Sequence, residues 1–313
     1  MLVPLLTNLR GSQAEHGIAM ERFYAYVGMS RQGYFQALAR HHREEAMMVR
    51  IKEEVLFHRG KKDRRAGSRT LYYNLDIKQA YGLGVNKFER LLSRHGLSLK
   101  PLRIRVVTTE SSAQSWNYAD LSKGLKVTGI NQLVVGDLTY VSHGRHRYYL
   151  FCLTDVYSAR IVGWHLSTRM RAQEALQALT MWKRLRGRGK IAGCIHHTDG
   201  GSQYFSELYL GAMASCRLQV SVARSCLDNG FAEQRNGLLK HHLMPLLSPD
   251  LQDEALYKAV GRLIHGYNHE RKQQNLGWRS PVAYENHWAL RDDRPVMQVY
   301  DRDKGDKTDR NGF

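Results

Sequence analysis

At 313 residues, with 42% hydrophobic and 10% aromatic content, the chain has the make-up of a folded protein with a sizeable core and room for two or three domains. Lys and Arg number 47 against 29 Asp and Glu, a formal charge of +18. Such an excess repels itself unless a polyanion is nearby, which argues against an enzyme of small molecules and for nucleic acid as partner, with an anionic membrane surface second. No apolar run approaches the ~18–20 residues of a membrane span. The start, "MLVPLLTNLRGSQ", lacks the basic leader and small-residue cleavage site of a signal peptide. The four cysteines, Cys152, Cys194, Cys216 and Cys226, form no C-x-x-C pair, so no zinc site is indicated and a reducing cytosol is expected.

In chain order, residues 16 to 58 read as helical. Ile18, Phe23 and Val27 set a first helix, "GMS" breaks it, and Ser30 caps a second that carries Tyr34, Phe35 and Leu38. A third would carry Met47, Met48, Ile51, Val55 and Leu56. This predicts a helical or helix-turn-helix module over 1–58, followed by "RGKKDRRAGSR", whose basic residues give a linker at 59–67 able to lie on phosphates. Residues 68–97 predict a second helix-turn-helix. Ser68 and Asn86 are the expected caps and Gly96 the residue that ends the last helix. On that helix Phe88, Leu91 and Leu92 face inward, while Lys87, Arg90 and Arg94 share the outer face, as a DNA-reading helix requires. Residues 98–128 read as a connector.

From residue 130 the pattern changes to strands. "NQLVVGDLTYV" and "HRYYLFCLTDVYS" flank the hairpin turn "SHGRH", and "ARIVGWHLS" is a third strand. An amphipathic helix with Ala175, Leu176, Leu179 and Trp182 on one face follows. The strand "KIAGCIHHTD", the helix "SELYLGAMAS", the strand "RLQVSVA" and the helix "GFAEQRNGLLKHHLMPLL" complete the series. Three meandering strands, then helix, strand, helix, strand and helix, is the order of an α/β, ribonuclease-H-like fold with a mixed five-stranded sheet. It is placed at 129–290 with its C-terminal helices, ahead of a charged tail at 291–313 expected to be disordered.

Three acids stand out within this order. Asp137 is the one charge in "VVGDLTYV", and burying it in a strand is costly without a partner or a metal. Asp199 follows the end of a later strand, where open α/β sheets place their sites. Glu233 lies early on the last helix. Each has an ordinary alternative: an edge-strand charge, a turn residue, a surface helix acid. Taken together they can converge as hard oxygen ligands for two Mg²⁺ ions, the arrangement suited to in-line phosphoryl transfer. Asp155 reads as a turn residue and Asp228 as the cap of the Glu233 helix. No G-x-x-x-x-G-K-[ST] loop and no G-x-S-x-G elbow offers a competing chemistry.

"VGDLTYV", "HTDGGSQY", "SCLDNGFAEQRNGLLK" and "YNHERKQQNLGWRSPVAYE" closely resemble the integrase-core transposases of bacterial insertion sequences, specifically the IS-three family. The resemblance runs from about residue 20 to 288. It implies a DDE site in which Asp137, Asp199 and Glu233 hold Mg²⁺, with Mn²⁺ able to substitute, and a DNA-contacting Lys240 seven positions beyond Glu233. It also aligns His197 with a family histidine, either supporting the active site or simply packed, and makes Arg271 and Lys272 DNA-contact candidates. The sequence departs from the family pattern at Gly200, Gln234, Lys272 and Gln273, none of which removes a carboxylate.

The expected function is therefore a DNA transposase that cleaves element ends and transfers a 3′-hydroxyl strand, in copy-out–paste-in transposition. The alternatives are a nuclease or resolvase of the same fold that cuts without joining, and a catalytically inactive DNA-binding regulator. The expected partners are duplex DNA, both terminal inverted repeats and target, and further copies of this chain on that DNA. A small upstream helix-turn-helix protein, separate or fused, is also implied by the resemblance. The expected location is the bacterial cytoplasm, on the nucleoid.

Overall fold

The computed structural model describes residues 20–26, 28–99, 117–143, 146–223, 231, 237–239, 242 and 253–299. A short helix α1 (Met20–Tyr26) leads into α2 (Arg31–Lys61), a single helix of 31 residues. Ser30 caps it as expected, its hydroxyl accepting the Gly33 N–H at 3.0 Å. The break expected between a second and a third helix does not occur. Residues 39–47 contain neither Gly nor Pro, so nothing in them interrupts the hydrogen-bond ladder.

The C-terminal half of α2 belongs to the next module. Met48, Ile51 and Val55 pack with Leu71, Tyr72, Ile77, Leu83, Phe88, Leu91 and Leu92 in one core. Its other helices are α3 (Ser68–Asn74), α4 (Ile77–Tyr81) and α5 (Val85–Arg94). Two caps differ from expectation: Gly67 and Gly84 occupy the cap positions, with Ser68 inside its helix, where its hydroxyl donates to Glu89 at 3.1 Å. Gly96 does sit in the left-handed region just past α5, at φ +69°. The expected linker is instead a tight turn of this module. The Arg59 guanidinium donates to the carbonyls of Ala66 (3.2 and 3.0 Å) and Leu97 (2.7 Å), and Ala66 is fully buried.

The second half of the chain forms a five-stranded sheet of order β4-β3-β2-β5-β6. Strands β2 (Leu133–His143), β3 (His146–Asp155) and β4 (Ile161–Ser167) form an antiparallel meander. Strands β5 (Ile195–Thr198) and β6 (Gln219–Val222) add in parallel on the β2 side. One face is covered by α6 (Ala172–Arg186) and α7 (Glu207–Ser215) around Val134, Phe151, Trp182 and Tyr209. Gly163 lets α6 lie against β4, because a Cβ there would collide with the Ala178 carbonyl. The opposite face is covered by α8 (Asp253–His269), whose Leu256, Val260 and Ile264 pack on Tyr148, Leu150 and Cys152. It is also covered by α9 (Pro281–Trp288), whose Tyr284 joins Leu133, Val135 and Tyr157. The predicted tail contributes β7 (Met297–Gln298), which pairs with β1 (Lys126–Val127); residues 300–313 lie outside the described ones.

Asp155 leads the turn that follows β3, as expected of a turn residue, and is also a fully buried hub. Its carboxylate accepts the Asn131 N–H at 2.8 Å and the Ser158 N–H at 3.1 Å, and burial pushes it up to about 6. The Ser158 hydroxyl also donates to Glu285 at 2.8 Å. Burial alone would raise the Glu285 carboxyl, but Arg186 and Arg160 bind it and hold it below its usual range. Asp228 lies outside the described residues.

Candidate active site

Strand register creates the site. In the parallel pair β2–β5, Gly136 stands beside Thr198, so Asp137 follows on β2 and Asp199 follows just past the end of β5. Because side chains alternate along a strand, Asp137 shares the face of Val135 and of Cys152, its partner on β3. That face is the one covered by α8. Gly136, on the other face, has room for no side chain among His196, Thr198 and Leu153.

Both carboxylates are partly exposed. Asp137 Oδ1 accepts the Leu138 N–H at 2.8 Å, and Asp199 Oδ1 accepts the Gly201 N–H at 3.3 Å. Burial raises the Asp199 carboxyl above its ordinary value, against a smaller opposing effect of the Gly201 N–H. Tyr204, in the 3₁₀ turn Ser202–Phe205, is buried in the core on the α6 and α7 face of the sheet. Burial pushes its hydroxyl well above the ordinary value, and the charges of Asp199 and Asp137 add to the shift. Sequence reasoning missed Tyr204; its place five residues after Asp199 (204 − 199) was the available signal.

Glu233 and Lys240 lie outside the described residues. Phe231 packs against the Leu133–Val135–Tyr284 cluster, and Leu239 packs with Cys152, Val260 and Ile264. Residues on both sides of Glu233 in the sequence therefore sit on the same sheet face as Asp137. No group of three His, Cys, Asp or Glu side chains arranged for a metal occurs among the described residues.

The other predicted residues fall elsewhere. His197 is buried on β5, with Nδ1 2.9 Å from the Ser221 hydroxyl and 3.7 Å from Asp120. Lys87, Arg90 and Arg94 are exposed on α5, but Lys87 reaches Glu44 of α2 at 2.6 Å and Arg94 reaches it at 3.7 Å. Arg271 and Lys272 join the helical module to the core. Arg271 pairs with buried Asp63, and its guanidinium donates to His242 Nε2 at 3.0 Å. His242 Nδ1 lies 2.9 Å from the other Asp63 oxygen. Lys272 donates to the Tyr73 carbonyl at 2.7 Å and lies 3.5 Å from Asp76.

A meander extended by parallel strands, with helices on both faces, defines an α/β, ribonuclease-H-like core. The family model for an integrase core domain matches residues 128–226. A putative transposase for insertion sequence element IS986/IS6110 of Mycobacterium tuberculosis (strain ATCC 25177 / H37Ra) is 34% identical over 214 residues, covering 66% of this chain and 77% of that protein. The transposase InsF for insertion sequence IS3A of Escherichia coli K12 is 30% identical over 216 residues, covering 66% and 73%. The HTLV-2 integrase catalytic core domain in complex with magnesium superposes with a TM-score of 0.42 at 19% identity, over 50% of this chain and 97% of that one. The chain belongs to the IS3 family of bacterial insertion-sequence transposases.

Proposed function

We propose that this transposase cleaves DNA at the ends of its element and joins the freed 3′-hydroxyl to a second phosphodiester, with Asp137, Asp199 and Glu233 as the catalytic acids. The observation that supports the proposal is the parallel register in which Gly136 and Thr198, the residues just before Asp137 and Asp199, pair across β2 and β5. The donor set fits a divalent cation: two carboxylates, both hard oxygen ligands, one raised by burial in a way that a nearby positive charge would reverse. Two Mg²⁺ ions, or Mn²⁺ in their place, would activate the attacking water or hydroxyl and stabilise the leaving oxygen.

The chain's own part is to hold the carboxylates in place. Strand β2 and the end of β5 carry the two aspartates, and the Leu138 and Gly201 N–H groups orient one oxygen of each. Lys87, Arg90 and Arg94 on α5 are the contacts proposed for the element ends, and Lys240 for DNA at the active site. Transposition through copy-out and paste-in, by copies assembled on DNA, completes the reading. Among the described residues no helix is long and apolar enough to cross a membrane.

The test is strand transfer by the purified chain on a labelled duplex carrying the element's own end, with Mg²⁺. Wild type should give joined products. Asp137→Asn, Asp199→Asn and Glu233→Gln should each bind the duplex and give none. Nicks without joining from wild type would favour a nuclease, and equal activity of Asp199→Asn would refute the site.

A further inference from the structure

Where the turn after α2 meets α8, the chain forms an open cleft of ≈ 430 Å³. Arg59, Lys61, Lys62 and Arg64 line one side, Arg262 and His242 the other. Among the described residues no acidic side chain lines it. The turn's own acid, Asp63, is taken up by Arg271 and His242. Arg59 is fixed by its carbonyl bonds, and Lys62 lies 3.5 Å from Glu270. Lys61, Arg64 and Arg262 are exposed.

Five cations converge where two modules meet, a common place for binding sites. Among the described residues the lining contains no Phe, Tyr or Trp on which a base could stack, and no Asn or Gln to read a base edge. Such a surface recognises regularly spaced anionic oxygens rather than bases, and duplex DNA presents one charge per ~1.7 Å of its axis. We propose that this cleft is a seat for the DNA duplex backbone, binding it independently of sequence, separate from α5 and from the aspartates. The inference rests on the reading that DNA is the substrate, and it assigns that substrate a further point of attachment.

The experiment is equilibrium binding of the full chain to a labelled random-sequence duplex over a range of salt concentrations. Wild type is compared with Lys61→Gln/Arg262→Gln and with a control pair, Lys183→Gln/Arg184→Gln, exposed on α6 and equal in charge removed. The cleft pair should lower the slope of log affinity against log salt by about 2, each single variant by about 1, and the control pair by much less. Matching thermal melts keep folding out of the comparison. A cleft pair indistinguishable from wild type, or equal losses from both pairs, would overturn the assignment. So would loss of binding to anionic lipid vesicles with DNA binding intact, which would make the cleft a membrane seat. If wild type joins ends while the cleft pair binds unchanged, only the cleft fails; absence of duplex binding by wild type would refute the transposase reading itself.

Discussion

Tyr73 of the helical module and Trp278 of the segment after α8 stack nearly face to face, their ring centroids 3.7 Å apart and their planes 17° from parallel. With the Lys272 bonds to Tyr73 and Asp76, this stack ties the helical module to the segment that follows α8. Aromatic pairs contribute about 0.5–1.5 kcal/mol beyond the area they bury. Trp278→Ala should therefore loosen the junction while leaving each module folded. Hydrogen exchange should speed up around Tyr73 and Lys272 while the β2–β3 ladder stays protected. Unchanged exchange at Tyr73 would mean that the stack does not hold the junction.

Asp63 is the charge centre of the same junction. Removing it would leave the largely buried Arg271 without its counter-charge, a change that typically costs about 3–5 kcal/mol. Burial alone would raise the Asp63 carboxyl, but the His242 hydrogen bond and the Arg271 charge outweigh it and lower the group below its ordinary 3.8. A depressed carboxyl stabilises the fold above its unfolded value, and that stability is lost as pH falls through the folded one. Urea unfolding should show Asp63→Asn weakened near neutrality and flatter than wild type below about pH 4. Equal curves would show that the pair contributes nothing net.

His196 gives a pH dependence at a higher range. Its Nδ1 lies 3.1 Å from the Val134 carbonyl, which can only accept, so that nitrogen carries the proton and Nε2 accepts the Tyr209 hydroxyl at 2.8 Å. Burial lowers this histidine from 6.5 to about 4. The unfolded chain then takes up a proton that the folded one refuses, so stability is full above 6.5 and is lost as pH falls towards 4, by on the order of 3 kcal/mol. Asp155, raised to about 6, acts with opposite sign between 3.8 and 6. Comparing thermal stability of wild type and His196→Gln from pH 7 to 4.5 separates the two: the variant should lose less on acidification. A parallel loss in both proteins would rule His196 out as the source.

Glu44 restrains the proposed reading helix. Its carboxylate takes the Lys87 ammonium at 2.6 Å and lies 3.7 Å from Arg94, and the Lys87 bond is the largest cause that lowers it. Glu44→Gln should release both cations towards phosphates and steepen the salt dependence of duplex binding by up to about 2. No change would indicate that these side chains do not reach the DNA backbone.

The catalytic half was legible because its signals are local. Strand alternation, the hairpin turn and the helix periods fix the order of elements, and the parallel register then pairs Gly136 with Thr198, one residue before each aspartate. What escaped lies far apart in sequence. Asp155 resembles any turn aspartate until Glu285, 127 positions from Ser158, closes the network around it. Arg271 looks like a DNA contact because its partner, Asp63, is 208 residues away in a stretch that reads as a basic linker. The continuity of α2 was missed for another reason: the His and Glu residues between its two apolar stretches are neutral in a helix and mark no break.

That continuity has a geometric consequence. Tyr24 and Tyr34 form a small cluster near the start of α2, while Glu44 and Glu45 touch α5 about ten residues further on, roughly 15 Å along the axis. A continuous helix fixes phase as well as distance. Each residue added or removed between Tyr34 and Glu44 would advance or withdraw the leading hairpin by about 1.5 Å and turn it by about 100° relative to α5. The stretch thus works as an indexed shaft, and changes in its length alter the bearing of whatever α1 carries far more than its reach.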